Sequence, residues 1–114
     1  MREPEVLRSL AALAQQARLR IFRELIVAGS EGVTPSVLSE RLGLTPNTLS
    51  FHLKALLQAG LIRQQRQGRY LLYRAEFAAM EALLGYLTEN CCGGSACAVT
   101  PQSPPKATLR AKRS

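Results

Sequence analysis

The chain has 114 residues, 46% of them apolar, and a formal net charge of +7. That length fits one small domain, and the apolar content excludes a disordered chain. No apolar run reaches the ~18 residues of a membrane span, so a cytoplasmic protein without a signal peptide is expected.

The charge is unevenly placed. All eight acids are glutamates, and none lies between Glu40 and Glu76. That stretch holds Arg41, Lys54, Arg63, Arg66, Arg69 and Arg74. A middle third of one sign suits a polyanionic partner, and it also suits a merely solvated basic surface. Charge alone therefore leaves nucleic acid open.

In chain order, Val6, Leu7, Leu10, Leu13 and Ala14 recur at helical spacing and predict a helix over 5–15. A second helix is predicted over 16–28, with Leu19, Phe22, Leu25 and Ile26 inside and Gly29 and Gly32 closing it. Thr34-Pro35 and Thr45-Pro46 then repeat one start signal, a capping hydroxyl before a proline. They open a short helix over 35–42, stopped by Gly43, and a longer one over 46–59, stopped by Gly60. A short helix, a three-residue turn with Gly and a longer helix make a helix-turn-helix.

From Leu61 to Arg74 the residues favour strand, and Gln67-Gly68 offers a turn. This predicts a β-hairpin wing with Arg66 and Arg69 at its tip and Tyr70 beside them. A fifth helix over 76–88 carries the stripe Phe77, Met80, Leu83, Leu84 and Leu87. The fold class expected is mainly α, a winged helix-turn-helix of five helices and one hairpin. Residues 1–90 form its domain, 91–97 a thiol segment, and 98–114 a disordered basic tail.

The fourth helix is the candidate reading helix. On a helical wheel Leu49, Leu53, Leu56 and Leu57 share the core side. Asn47, Ser50, Phe51 and Lys54 lie opposite, flanked by Thr48 and His52. Short polar side chains near a helix start suit base edges in a major groove, and free N–H groups there suit phosphate. With Ser36 and Thr45 at the two helix starts, these residues and the wing's Arg66, Arg69 and Tyr70 are the expected DNA contacts. Phe51 has two readings: apolar contact with a thymine methyl or sugar, or packing beneath the wing or third helix. His52, the single histidine, suits a phosphate contact or a packed ring better than a metal ligand.

These residues resemble a known family. The strings ARLRIF (17–22), LSERLGLTPNTLSFHLKALLQAGLI (38–62) and RQGRYLLYR (66–74) are similar to the ArsR/SmtB metalloregulatory repressors. The resemblance implies a homodimer built on the first and fifth helices, with Leu7, Leu10, Leu13, Met80, Leu84 and Leu87 at the interface. It also implies an inverted-repeat double-stranded operator, and release when an ion binds.

Two recurrent inducer sites of that family are missing. The third-helix stretch GVTPSVLSERLG has no cysteine. The fifth helix offers only Glu76, Glu81 and Glu89, without the His and Asp of a zinc site. What remains is NCCGGSAC, with Cys91, Cys92 and Cys97. Three thiols favour a soft, three-coordinate ion, whereas structural zinc normally takes four ligands. Trivalent arsenic matches the count, and the segment resembles the C-terminal cysteine site of arsenite-responsive members. Arsenite, antimonite and methylated trivalent arsenic share that thiophilic chemistry. A thiol redox switch, another soft metal and inert cysteines are the alternatives.

An enzyme is not expected. A thiol phosphatase or arsenate reductase loop needs Cys-x5-Arg, yet the sixth residues after Cys91 and Cys92 are Cys97 and Ala98. As(III) is thus expected as inducer, with no catalytic cofactor. A metalloid chaperone is the binding-module alternative, and it would not need the basic stretch or the reading helix.

Overall fold

A computed structural model of the chain describes residues 1–94. Its elements are α1 (Glu3–Leu13), α2 (Gln16–Ala28), α3 (Pro35–Leu42), α4 (Pro46–Gln58), β1 (Ile62–Gln67), β2 (Tyr70–Ala75) and α5 (Phe77–Leu87). Short 3-10 turns follow α2 at Gly29–Glu31 and α5 at Cys91–Gly94. The tail expected over 98–114 and Cys97 lie outside the described residues.

Local chemistry sets the helix-turn-helix. The Thr34 hydroxyl accepts from Val37 N–H at 3.4 Å, and the Thr45 hydroxyl from Thr48 N–H at 3.3 Å. Each satisfies one of the donors a helix start leaves unpaired. Gly43 ends α3 at φ 67°, ψ 33°, the left-handed cap that glycine enters most easily. Leu44 N–H then donates to Ser39 O at 3.1 Å, and the Ser39 hydroxyl donates to Leu44 O. These bonds fix the turn between α3 and α4.

The wing is an antiparallel hairpin with Gln67 opposite Tyr70. Its turn residues are Gly68 and Arg69, one position later than Gln67-Gly68. Gly68 takes φ +63° at the first central position, where a type II′ turn wants glycine. On the far side of β2, Val33 and Tyr73 exchange two backbone hydrogen bonds of 2.9 Å. This bridge ties the start of the helix-turn-helix to the wing. The opposite edge of the hairpin, along β1, has no strand beside it among the described residues, and all of β1 after Ile62 is exposed.

One core joins these parts. Ile21, Leu25, Leu38, Leu49, Leu56 and Leu61 are fully buried, with Phe22, Leu53, Ile62, Tyr73 and Ala75 around them. The core takes one face of α2, α3 and α4 and the base of the hairpin. That leaves the start of α4 and the wing tip outside. α5 contributes only Leu83 to the buried set, although its sequence FAAMEALLGYL is almost wholly apolar. No helix of the described residues is long and apolar enough to cross a membrane.

Candidate nucleic-acid interface and thiol pair

Most of the expected DNA contacts are presented on the surface. Thr45, Asn47, Thr48, Ser50, Phe51 and Lys54 are exposed along α4, and Ser36 is exposed at the start of α3. Ser36, Ser39 and Ser50 line, with Pro35, Pro46 and Leu49, a cleft of about 260 Å³ between the two helix starts. The hydroxyls of Ser36 and Ser50 are exposed at this cleft, while that of half-buried Ser39 is spent on Leu44 O, and such hydroxyls suit contact with a phosphate backbone. Arg66, Arg69 and Tyr70 are exposed on the wing.

Phe51 is 67% exposed, so it does not pack beneath the wing or α3. Its ring meets the His52 ring edge-on, with centroids 5.3 Å apart and planes at 69°. An aromatic held outward by a ring behind it is placed to touch apolar base or sugar surface.

His52 departs from the surface position expected of a DNA contact. It is 6% exposed, and its Nδ1 accepts from Arg18 Nη1 at 3.4 Å. Burial, and then the Arg18 charge, hold its pKa below the ordinary 6.5. It is a packed ring, the second of the two uses the sequence offered. The reason is the approach of α1 and α2 over that flank of α4, which a wheel of α4 alone does not contain.

The acid-free stretch is less one-signed in space. Arg41 pairs with Glu24 of α2 at 3.2 Å, and Arg63 pairs with Glu76 at 3.7 Å. These acids come from outside the stretch and partly neutralise two of its six basic residues. Lys54, Arg66 and Arg69 are exposed and remain without such a partner among the described ion pairs.

The residues expected at a dimer interface divide. Leu7, Leu10, Leu84 and Leu87 are exposed on α1 and α5. Leu13 and Met80 are half-buried against the protein's own core, so they present only part of their surface. Val6 and Leu83 are buried, and α1 packs on α5.

Past α5 the chain turns through Thr88, Asn90 and Cys92. Thr88 Oγ1 donates to Leu84 O at 2.8 Å, and Cys91 N–H donates to Thr88 O at 2.9 Å. Asn90 and Cys92 adopt φ of 56° and 58°, a left-handed backbone that costs side-chain-bearing residues about 1–2 kcal/mol. The result puts Cys91 Sγ and Cys92 Sγ 3.6 Å apart, with Cys92 exposed and Cys91 half-buried. Two thiolates bound to one ion at about 2.3 Å and near-tetrahedral angles sit about 3.7 Å apart. The pair is thus already spaced for a shared ion. Among the described residues no cluster of three or more His, Cys, Asp and Glu forms, so any third ligand lies elsewhere.

A helix-turn-helix whose second helix offers its polar start beside a basic wing defines a winged helix-turn-helix DNA-binding regulator. Comparison with known proteins agrees. The helix-turn-helix domain family matches residues 13–65. The arsenical resistance operon repressor of Bacillus subtilis is 38% identical over 81 residues, covering 71% of this chain and 73% of the relative. An ArsR-like transcriptional regulator from Rhodococcus superposes with a TM-score of 0.66 at 31% identity, covering 74% of this chain and 76% of that one. A homodimeric winged helix-turn-helix DNA-binding domain from Mycobacterium bovis, solved in solution by NMR, gives 0.60 at 26% identity, covering 84% and 89%. The chain belongs to the ArsR family of DNA-binding transcriptional repressors, and it is a regulator rather than an enzyme.

Proposed function

We propose that this protein is a homodimeric repressor that leaves an inverted-repeat operator when trivalent arsenic binds Cys91, Cys92 and Cys97. The observation that carries the metalloid reading is the sulfur pair held 3.6 Å apart at the end of α5. Trivalent arsenic takes soft thiolate donors, and a third thiol from Cys97 completes its set. The Bacillus subtilis relative, by name a repressor of arsenical resistance, supports the same inducer class.

Each subunit reads DNA with Asn47, Thr48, Ser50 and Phe51, anchored by Ser36, Thr45 and Lys54 and by the wing's Arg66, Arg69 and Tyr70. A second copy covers Leu7, Leu10, Leu84 and Leu87, with Leu13 and Met80 at the margin. The thiol pair lies seven and eight residues after Leu84, so ion capture tightens the chain directly beside that interface. Two reading helices whose separation matches successive half-sites lose that match when the interface shifts. By linkage, operator DNA weakens arsenic binding by the factor with which arsenic weakens DNA binding.

The experiment is a titration of the DNA complex with arsenite, antimonite, zinc and peroxide, followed by fluorescence anisotropy. Arsenite releases wild-type protein, while Cys91→Ser and Cys92→Ser variants bind DNA normally and resist release. Normal release from all of Cys91→Ser, Cys92→Ser and Cys97→Ser would sink the sensor assignment. Release by peroxide alone would move the function to a thiol redox switch.

A further inference from the structure

Arg18, the third residue of α2, touches two other helices at once. Its Nε donates to the Ala12 carbonyl at 2.7 Å, and its Nη1 donates to His52 Nδ1 at 3.4 Å. Ala12 stands in the last turn of α1, where carbonyls have no partner within the helix. That last turn holds no basic residue of its own. The guanidinium arriving from α2 therefore complements the negative end of α1. His52 stands in the middle of α4, on the flank between its DNA-facing residues and the core.

We propose that Arg18 is a positioning residue that locks the angle between the dimer helix α1 and the reading helix α4. The inference rests on α4 being the reading helix and goes beyond its contacts. α1 carries Leu7 and Leu10 of the dimer face, and α4 carries the base-reading side chains. One planar, forked side chain spans the gap between them. Lysine does not reproduce this, because its three donors share one nitrogen on a flexible stem, whereas two separate nitrogens of a rigid plane donate here. The ring's part follows from its tautomer. Nδ1 accepts, so the proton of the neutral imidazole sits on Nε2.

The tie matters because a dimer reads two half-sites together. A small rotation of α4 against α1 in each subunit moves both reading helices off register. Arg18 spends its Nε and an Nη on Ala12 and His52, so its loss weakens operator binding through the tie and not through a lost phosphate contact.

This separates it from a DNA ligand in one experiment. A duplex is selected from a randomised library by the wild-type protein, and affinity is measured across a salt series for Arg18→Gln, Arg18→Lys, His52→Leu, His52→Asn and Lys54→Ala. Arg18→Gln and Arg18→Lys lose about tenfold in affinity, which is about 1.4 kcal/mol. They keep the wild-type salt slope and the dimer mass. Lys54→Ala, a phosphate contact, lowers the slope by about one per subunit. His52→Asn keeps an acceptor near the Nδ1 position and retains affinity, whereas His52→Leu loses about as much as Arg18→Gln. The double variant Arg18→Gln/His52→Leu is no weaker than either single one.

Wild-type affinity in Arg18→Gln overturns the proposal. So does a loss accompanied by a lowered salt slope, which makes Arg18 a phosphate ligand, and so do additive losses in the double variant. Should both Arg18 variants fail to fold, the His52 pair decides, and equal affinity of His52→Asn and His52→Leu rejects the tie. If the unaltered protein selects no duplex at all, the reading-helix assignment fails first and takes the proposal with it.

Discussion

His52 is a base buried where its charged form is disfavoured. Its folded pKa lies below the ordinary 6.5, first because burial removes water and then because the Arg18 guanidinium, the charged group acting on the ring, repels a second positive charge. The unfolded chain therefore takes up the proton at higher pH than the folded protein does. The stability carried by the neutral ring is fully present above pH 6.5 and is lost as pH falls through the folded pKa. Urea midpoints of wild type are expected to fall between pH 7 and 5 and to fall less in His52→Asn. An equal fall in both would place the acid sensitivity elsewhere. At this scale the sequence was legible where a residue answers to its own helix. Phe51 sits outward, as the wheel of α4 puts it. The choice between the two uses of His52 and the pairing of Arg41 were not legible, because α1, α2 and Glu24 approach from elsewhere in the chain.

Among the elements, the helix-turn-helix was read almost to the residue. Its signals, Thr-Pro starts and glycine stops, act within a few positions of the bonds they make. The bounds of α2 and α3 match expectation, and α4 ends one residue earlier. The Val33–Tyr73 bridge was not foreseen, since its partners are forty residues apart in the chain. Gly32 shows what the bridge demands. It takes φ +77°, and an added Cβ would lie 3.0 Å from the Tyr73 carbonyl oxygen. Gly29 also has positive φ, at +69°, but open space around the missing Cβ. Gly32→Ala is expected to cost about 2–3 kcal/mol and Gly29→Ala about 1 kcal/mol. Denaturant unfolding of the two variants checks the order, and equal losses would mean that the backbone angle alone matters.

The whole molecule is incomplete as one chain. α5 buries Leu83 against its own subunit and leaves Leu84 42% and Leu87 54% exposed. A helix apolar on nearly all sides is stable when something covers it. Leu84→Glu is expected to give a folded monomer by sedimentation, with operator affinity down by at least 100-fold because two linked half-site contacts become one. A monomer with undiminished affinity would exclude the paired readout. The apolar stripe on α5 was visible in the sequence, but how much of it stays exposed was not. Met80 fits the stripe and Leu13 the helical spacing of α1, yet both spend much of their surface on the core. Periodicity reports which side of a helix is apolar, and it does not say how much of that side the rest of the chain covers.

The outer edge of β1, with no strand beside it among the described residues, has a consequence for life in a crowded cell. A bare strand edge is a template for another strand, and each free N–H and C=O along it invites growth into larger aggregates. Here the strand reads IRQQRQ, six residues long, with arginine at its second and fifth positions. Arg66, and Arg63 as far as Glu76 leaves its charge unbalanced, repel an approaching identical edge, while the same charges attract a phosphate backbone. The edge is thereby open to an anion and unwelcoming toward its own copies.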